Sequence, residues 1–484
     1  MHTVSQHDES IQGKPTVLPS TGMGIGKKVY IVSYGCQMNF SESEIVASIL
    51  HNNGCQTTAD LQEADVIFVN TCSVRENAEL RVRQRFTEFK SLKKHKPHLI
   101  VGVLGCMAER LKDKFLEEEK LVDLVVGPDS YRKLPDLLMS VEDGKKGIEV
   151  LLSLEETYAD ISPVRLSGNG ITAFISITRG CDNMCTFCVV PFTRGRERSR
   201  NPETIIEEAK DLYQQGYKEI MLLGQNINSY LWYGGGPKKE FKHLSEEEKT
   251  QSVNFASLLN RVAMISPQMR IRYTTSNPQD MTDDVLEIMA SHPNICRYIH
   301  LPVQSGNTNV LQRMNRGYSR EAYLNRIAAI RRYMPDCAIS TDIISGFCGE
   351  TEEEHADTIS LMRQVGFDYA YMFKYSERPN TMAQRKFADD VLEDVKGRRL
   401  QQIIDLQNKL SLESNQRDIG KTFEVLVEGV SKKDENELYG RNSQNKVFVF
   451  PKQNLIPGDY VWVKALDCTS ATIKGEIVNV EAHV

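Results

Sequence analysis

Residues 171–188 read ITAFISITRGCDNMCTFC, and the reading of the fold turns on this stretch. Ala173–Thr178 has the length and β-branched content of a buried strand. The run stops before Gly180, and three cysteines follow at once: Cys181, Cys185 and Cys188, spaced C-x3-C-x2-C. Three thiols this close are not all apolar core residues, and zinc would want a fourth ligand that no nearby histidine supplies. A cubane iron–sulfur cluster held by three protein ligands leaves one iron open to a small molecule. The triad thus follows a strand at its C-terminal end, the face where β/α-barrel enzymes place their sites.

Downstream the same rhythm repeats. Apolar runs at Glu219–Leu223, Ile271–Thr275, Tyr298–Val303, Ala338–Ile344 and Tyr369–Tyr375 alternate with helical lengths. Six strand–helix units predict a partial (β/α)6 barrel over 171–415. Asn201-Pro202-Glu203 marks one helix start, and Thr351 with Glu354 forms a capping box at another. The polar, glycine-rich stretch Ser229–Ser252 interrupts the pattern as a surface insertion. Strand-end polar residues that could hold a nucleoside cofactor are Gln225, Asn226, Gln304, Ser305, Ser340 and Asp342.

Upstream, over 28–150, short apolar runs at Val29–Ser33, Val66–Val69, Leu99–Leu104 and Leu121–Val126 predict an open parallel α/β sheet. Cys36, Cys72 and Cys106 each stand just past one of these runs, at the ligand-binding edge of such a sheet. They are either three separate buried thiols or a second cluster site, and the shared context favours the cluster. Cys55, Cys296, Cys337, Cys348 and Cys468 share no pattern, although Cys348, in a glycine-rich turn, is placed to line the pocket. Residues 1–27 read as a disordered tail and 151–170 as a linker. After a long helix, Val391–Asn415, valine-rich runs over 416–484 predict a small β-barrel.

The whole-chain numbers agree. A length of 484 residues suits about three domains. A net charge of −6 excludes a globally basic nucleic-acid coat, so any RNA contact must be local. Eleven cysteines, an odd number without a signal-peptide pattern, argue against a disulfide framework and for a cytoplasmic metal or redox protein. The longest uncharged apolar run, Leu99–Ala108, is too short to span a membrane. Arg194, Arg196, Arg198 and Arg200 alternate beside the cysteine triad and are the first candidates for RNA phosphate contacts, with Arg75, Arg81, Arg83 and Arg85 as a second set. Over 418–484, eight Lys/Arg against ten Asp/Glu leave RNA binding there to local side chains such as Arg441, Asn442 and Lys446. Phe448 and Trp462 read as core.

CDNMCTFC resembles the cluster motif of radical S-adenosylmethionine enzymes. With YGCQMN at 34–39, NTCSVRE at 70–76 and LGCMAER at 104–110, the chain resembles the methylthiotransferases of that superfamily, and its C-terminal segment resembles a TRAM domain. RGRERSR at 194–200, LLGQNINSY at 222–230, LPVQSGN at 301–307, MNRGYSR at 314–320, STDIISGFCGET at 340–351 and LYGRNSQN at 438–445 extend the likeness over residues 28–480. Asn277, Cys348 and PNTMAQRK at 379–386 depart from the family pattern, and none of these is a cluster ligand.

The resemblance implies two 4Fe-4S clusters, one on Cys181, Cys185 and Cys188 and one on Cys36, Cys72 and Cys106. It also implies two molecules of S-adenosylmethionine per turnover and an external electron donor. The first cluster would bind S-adenosylmethionine and release a 5′-deoxyadenosyl radical, which takes hydrogen from C2 of an adenine. A methylated sulfur on the second cluster would then be transferred to that carbon. The implied substrate is N6-isopentenyladenosine at position 37 of tRNA. Sister enzymes act on threonylcarbamoyl-adenosine or on a ribosomal-protein aspartate, and LGQNINSY with MNRGYSR favours the isopentenyl substrate. An iron–sulfur RNA-binding protein without catalysis is the reading from another class. Oligomeric state is not legible.

Overall fold

The computed structural model of the chain describes residues 12–16, 26–72, 76–142, 145–165 and 170–478. In the N-terminal part, parallel strands Lys28–Tyr34, Val66–Thr71, Ile100–Leu104, Leu124–Val126 and Gly147–Glu149 lie side by side in that order. A short strand, Gln56–Thr57, pairs in parallel on the other side of Lys28–Tyr34. The winding therefore goes outward once and then reverses across the first strand. Open α/β sheets bind ligands at such a reversal, outside the carboxyl ends of the strands. Here it falls between Lys28–Tyr34 and Val66–Thr71, the strands that run into Cys36 and Cys72. Helices Gln37–Asn52 and Leu134–Glu142 cover one face; Glu76–His95 and Cys106–Leu111 cover the other. Burial on both faces is why these strands read as unbroken apolar runs.

Two expectations need correction here. Within the expected tail, Pro15–Thr16 pairs antiparallel with Val32 and Ile31, and the Gln12 side-chain amide bonds both backbone groups of Gly35, at 2.8 and 2.9 Å. The rest of that segment, up to residue 25, lies outside the described residues, as do Arg75 and residues 166–169 of the expected linker. Residues 151–165 form a strap packed on the N-terminal domain rather than a free connection. Tyr158 is buried there, its ring stacked 5.8 Å from Tyr131 and its hydroxyl donating to Pro128 O at 3.0 Å.

The central part contains six parallel strands: Thr172–Ser176, Glu219–Leu223, Arg270–Tyr273, Tyr298–His300, Ala338–Ser345 and Tyr369–Lys374. The first three pair with one another, as do the last three. The halves meet where Ser276 N donates to His300 O at 3.0 Å. Among the described residues the first and sixth strands are not paired, so this is an open partial barrel. Between the strands and the surrounding helices lies one apolar core, built on the strand side from Ile175, Leu222, Ile271, Ile299 and Ile339. The expected caps form: Asn201 accepts from Glu203 N, and Thr351 with Glu354 makes the reciprocal box. The insertion is closed at its base by the strand pair Leu231–Trp232 and Val253–Asn254.

Helix Glu393–Gln416 leads into a closed five-stranded barrel, in the order Thr422–Val430, Glu437–Asn442, Val447–Pro451, Ile473–Ile477, Tyr460–Cys468. The strand Glu437–Asn442 was not expected: among its buried positions Leu438, Gly440 and Asn442, only leucine is apolar enough to mark a strand. Phe448 is core, as expected, but Trp462 is 42% exposed on the outer face. The barrel docks through Arg270 and Arg272, which donate to the carbonyls of Arg441 and Asn442 at 2.7 and 2.6 Å.

Candidate functional site: two cysteine triads at one domain junction

Cys36 opens helix Gln37–Asn52, Cys72 ends the neighbouring strand run, and Cys106 opens helix Cys106–Leu111. The sheet reversal brings the first two together. Gly35 has φ +118°, and a Cβ there would lie 2.3 Å from the Cys72 Cβ, so only glycine allows this approach. Motif asparagines fix the geometry: Cys36 Sγ donates to Asn39 Oδ1 at 3.0 Å, and Asn39 Nδ2 donates to Asn70 Oδ1 at 3.0 Å. A hydrogen bond with Cys72 draws the Cys36 thiol down against its burial, and the Arg194 guanidinium adds to that pull. Burial pushes Cys106 up, and Arg194 opposes it.

Cys181, Cys185 and Cys188 occupy the loop after the first barrel strand, partly exposed. Gly180 has φ +79°, and a Cβ there would meet Arg196 O at 2.1 Å. Arg316, from the MNRGYSR motif, donates through Nη1 to Cys185 Sγ at 3.2 Å. Burial pushes Cys181 and Cys188 up, so ligation would displace their protons. Helix Cys106–Leu111 packs directly on helix Val190–Arg194, and Cys106 lies close enough to Cys188 to influence its charge. The two triads face each other across the domain junction.

The donor set fits iron–sulfur chemistry: each triad offers sulfur only, with a guanidinium beside it to balance thiolate charge. Among the described residues no three His, Cys, Asp or Glu side chains gather as they would around a single metal ion. The strand-end face also fits a polar ligand. Buried oxygens of Thr178, Gln225, Asn226, Ser276 and Ser345, each at or just beyond the end of a barrel strand, have no hydrogen-bond partner among the described residues. Each such orphan costs about 1–3 kcal/mol until something satisfies it.

The other expected cofactor residues are already engaged. Gln304 adopts φ +71° and is held through its backbone to Asp342 O and Ile344 N. Ser305 is fully buried against Thr358 and accepts from Asn307 N, a turn-forming role. Ser340 Oγ sits 2.8 Å from His300 Nδ1 and 2.5 Å from the Tyr298 hydroxyl, with Asp342 3.5 Å from His300 Nε2. His300 and Arg316 were not foreseen. Both flank quoted motifs or lie within them, but nothing in spacing alone points them inward. Cys348 packs with Phe347, Met314 and Tyr375 in a satellite core and not along the pocket.

The arginine run is the main correction. The side chains of Arg194, Arg198 and Arg200 are 4%, 1% and 8% exposed, and only Arg196 is open, at 47%. Arg194 makes a two-pronged pair with Glu42, at 2.6 and 3.0 Å. Arg198 pairs with Asp129 and Arg200 with Glu208. Arg179 joins the first two pairs, donating to Glu42 at 2.8 Å and Asp129 at 3.4 Å. Burial pushes the Glu42 carboxyl up, but Arg194 and Arg179 more than reverse this and hold it below its ordinary value. Arg179, Arg194 and Arg198 latch the barrel to the N-terminal domain, Arg200 is paired within the barrel, and none of the four is available to RNA. Arg441 is likewise committed, to Glu428 within the small barrel.

Comparison with known proteins agrees with this geometry. Three family models match: Uncharacterized protein family UPF0004 over residues 28–127, the Radical SAM superfamily over 175–362 and the TRAM domain over 416–478. The chain is 59% identical over 469 residues, 97% of each chain, to the tRNA-2-methylthio-N(6)-dimethylallyladenosine synthase of Christiangramia forsetii. It is 58% identical over 475 residues, 98% of each chain, to that of Flavobacterium johnsoniae. Among solved structures, a radical S-adenosylmethionine methyltransferase from Kitasatospora setae shares the fold, with TM-score 0.52, 14% identity and coverage of 72% of this chain and 73% of that one. By identity and full-length coverage, the chain belongs to the tRNA-2-methylthio-N(6)-dimethylallyladenosine synthase family of radical S-adenosylmethionine enzymes.

Proposed function

We propose that this chain attaches a methylthio group to C2 of N6-isopentenyladenosine at position 37 of tRNA, with Cys181, Cys185 and Cys188 holding one 4Fe-4S cluster and Cys36, Cys72 and Cys106 the other. The observation that carries this reading is the convergence of the two triads, Cys106 close to Cys188, at the junction of two domains. When bound, the clusters with S-adenosylmethionine supply radical generation and a transferable methylated sulfur. Such chemistry suits a carbon with no acidic proton and no leaving group.

The protein's own part is placement. Arg316 fixes the Cys185 sulfur and keeps a positive charge beside it. The Asn39–Asn70 bonds hold Cys36 over the sheet edge. Arg194 and Arg179 clamp Glu42, which ties the cysteine loop of the barrel to that of the N-terminal domain. The strand-end oxygens of Gln225 and Asn226 stand ready for polar groups of the bound nucleosides. Among the described residues no helix is long and apolar enough to cross a membrane. We place the enzyme in the cytoplasm with its tRNA and an external electron donor.

Mass spectrometry of tRNA nucleosides from a strain lacking this gene tests the reading. The methylthio group should vanish while the isopentenyl group stays. In the purified enzyme, alanine at Cys181, Cys185 and Cys188 should stop formation of 5′-deoxyadenosine and leave about half the iron. Alanine at Cys36, Cys72 and Cys106 should preserve that cleavage and stop sulfur insertion; methylthiolated tRNA from this second variant would refute the ligand assignment.

A further inference from the structure

With three of the four arginines in the run buried and only Arg196 open, a cavity beside the C-x3-C-x2-C loop offers further chemistry for an RNA contact. Its volume is about 320 Å³, in the lower part of the range for small-ligand pockets. One wall is Asp182 and Asn183 of the cysteine loop; the facing wall is the insertion, through Lys238, Phe241 and Lys242. The insertion is polarised by charge. Lys238, Lys239 and Lys242 line the cavity, whereas Glu246, Glu247 and Glu248 begin the next helix away from it.

The lysines differ in what they are free to do. Lys238 is an anchor: its backbone N donates to Glu197 O at 2.8 Å and its ammonium lies 3.3 Å from the buried Glu197 carboxylate. Lys242 is exposed and has no ion-pair partner among the described residues, and Lys239, 48% exposed, meets only Glu240, at 3.6 Å. Phe241 stands between them in the cavity wall, its ring 5.6 Å from Tyr233. Deeper in, Asn226 is almost fully buried. Its Nδ2 donates to Asp280 at 2.7 Å, which orients the amide, and its Oδ1 has no partner. An aromatic ring, an unpaired acceptor and two exposed ammonium groups at the rim, one of them only weakly paired, match a base with N–H donors and a phosphodiester.

We propose that this cavity takes an unstacked nucleotide of the substrate RNA, its base against Phe241 and Asn226 and its phosphodiester on Lys239 and Lys242. The assignment rests on the tRNA reading above and names the surface that reading requires.

The test is binding of an anticodon stem-loop carrying N6-isopentenyladenosine to the iron-loaded full chain, without reductant, by fluorescence anisotropy across a salt series. Lys239→Ala with Lys242→Ala should lower affinity by about tenfold at low salt and make the log–log salt slope shallower by about 1.4, two single-strand phosphate contacts. Phe241→Ala should lower affinity by about tenfold with the slope unchanged, the signature of lost stacking and not lost charge. Lys249→Ala, on the far side of the insertion and paired with Glu246, should change neither. Iron content and circular dichroism equal to the parent's confirm that each variant is folded; Lys239→Gln with Lys242→Gln repeats the test should the alanine pair fail that check. Wild-type affinity and slope in the lysine variants overturn the cavity assignment while leaving the tRNA reading intact. A parent enzyme that does not bind the stem-loop removes both.

Discussion

Arg194 shows how one side chain serves two sites. Its guanidinium is buried, bonded twice to Glu42, and close enough to Cys36 and Cys106 to act on their charge. Removing one member of a buried ion pair costs about 3–5 kcal/mol where the other charge is left unpaired; here Arg179 still donates to Glu42, so the loss falls towards the lower end of that range. Arg194→Ala should therefore lower the urea midpoint of the iron-free protein strongly, whereas Arg196→Ala, two residues away and exposed, should shift stability by under about 0.5 kcal/mol. Glu109 makes the opposite case. It is 1% exposed, neither carboxylate oxygen is hydrogen-bonded, and burial lifts it from 4.5 to about 7 against the pull of Lys112. A carboxyl whose folded value lies above its unfolded one binds protons more tightly when folded. Its contribution to stability is present below pH 4.5, is lost as pH rises to about 7, and is flat beyond. Glu109→Gln should remove that slope, so the variant gains on the parent between those values in urea titrations at stepped pH.

At the scale of the element, the turns before the cysteines matter as much as the strands that lead to them. Gly180→Ala would force a Cβ into the Arg196 carbonyl at a φ of +79°, and the loop carrying Cys181 must move. Iron per chain after reconstitution should fall towards half. Gly170→Ala is the matched control: φ is +71°, so the backbone is equally strained, but nothing lies within 4 Å and no cysteine follows, so iron content should hold. The elements also show which features the sequence could carry. Runs such as VIFVN and IVGVL are legible as strands because both faces of the sheet are buried, and local apolarity is enough to show it. The strand-end position of Cys36, Cys72 and Cys106 was legible for the same reason. Their convergence followed from that shared context; what left no pattern is the sheet reversal that brings Cys36 beside Cys72, because it is made by the two-residue strand Gln56–Thr57. RGRERSR misled because charge alternation looks the same whether the partner is a phosphate or a carboxylate more than a hundred residues away, as Glu42 is from Arg194. Strand Glu437–Asn442 was hidden by glycine and asparagine at its inward positions.

For the whole molecule, the junctions are polar and buried, and they hold apolar cores together. The small barrel rests on Arg272, which bonds Glu219 at 2.7 Å and caps the carbonyls of Asn442 and Ser443. Arg272→Ala leaves Glu219 without its cation, and the barrel should detach while keeping its own core. Limited proteolysis should then cut near residues 416–421 faster in the variant than in the parent, with the barrel fragment itself resistant. The other junction has a consequence for yield. The short helix Cys106–Leu111 is packed on Val190–Arg194, so on the proposed reaction the distance between the reactive carbon and its sulfur donor would be set here, and their meeting would compete with stray quenching. The packing of two helices, together 11 residues long, would thus set a partition ratio. Loosening it through Thr193→Gly, a buried residue on the second helix, should leave radical formation running and spoil its economy. More 5′-deoxyadenosine would be spent for each methylthio group delivered, a waste visible by chromatography even where the rate of cleavage is unchanged.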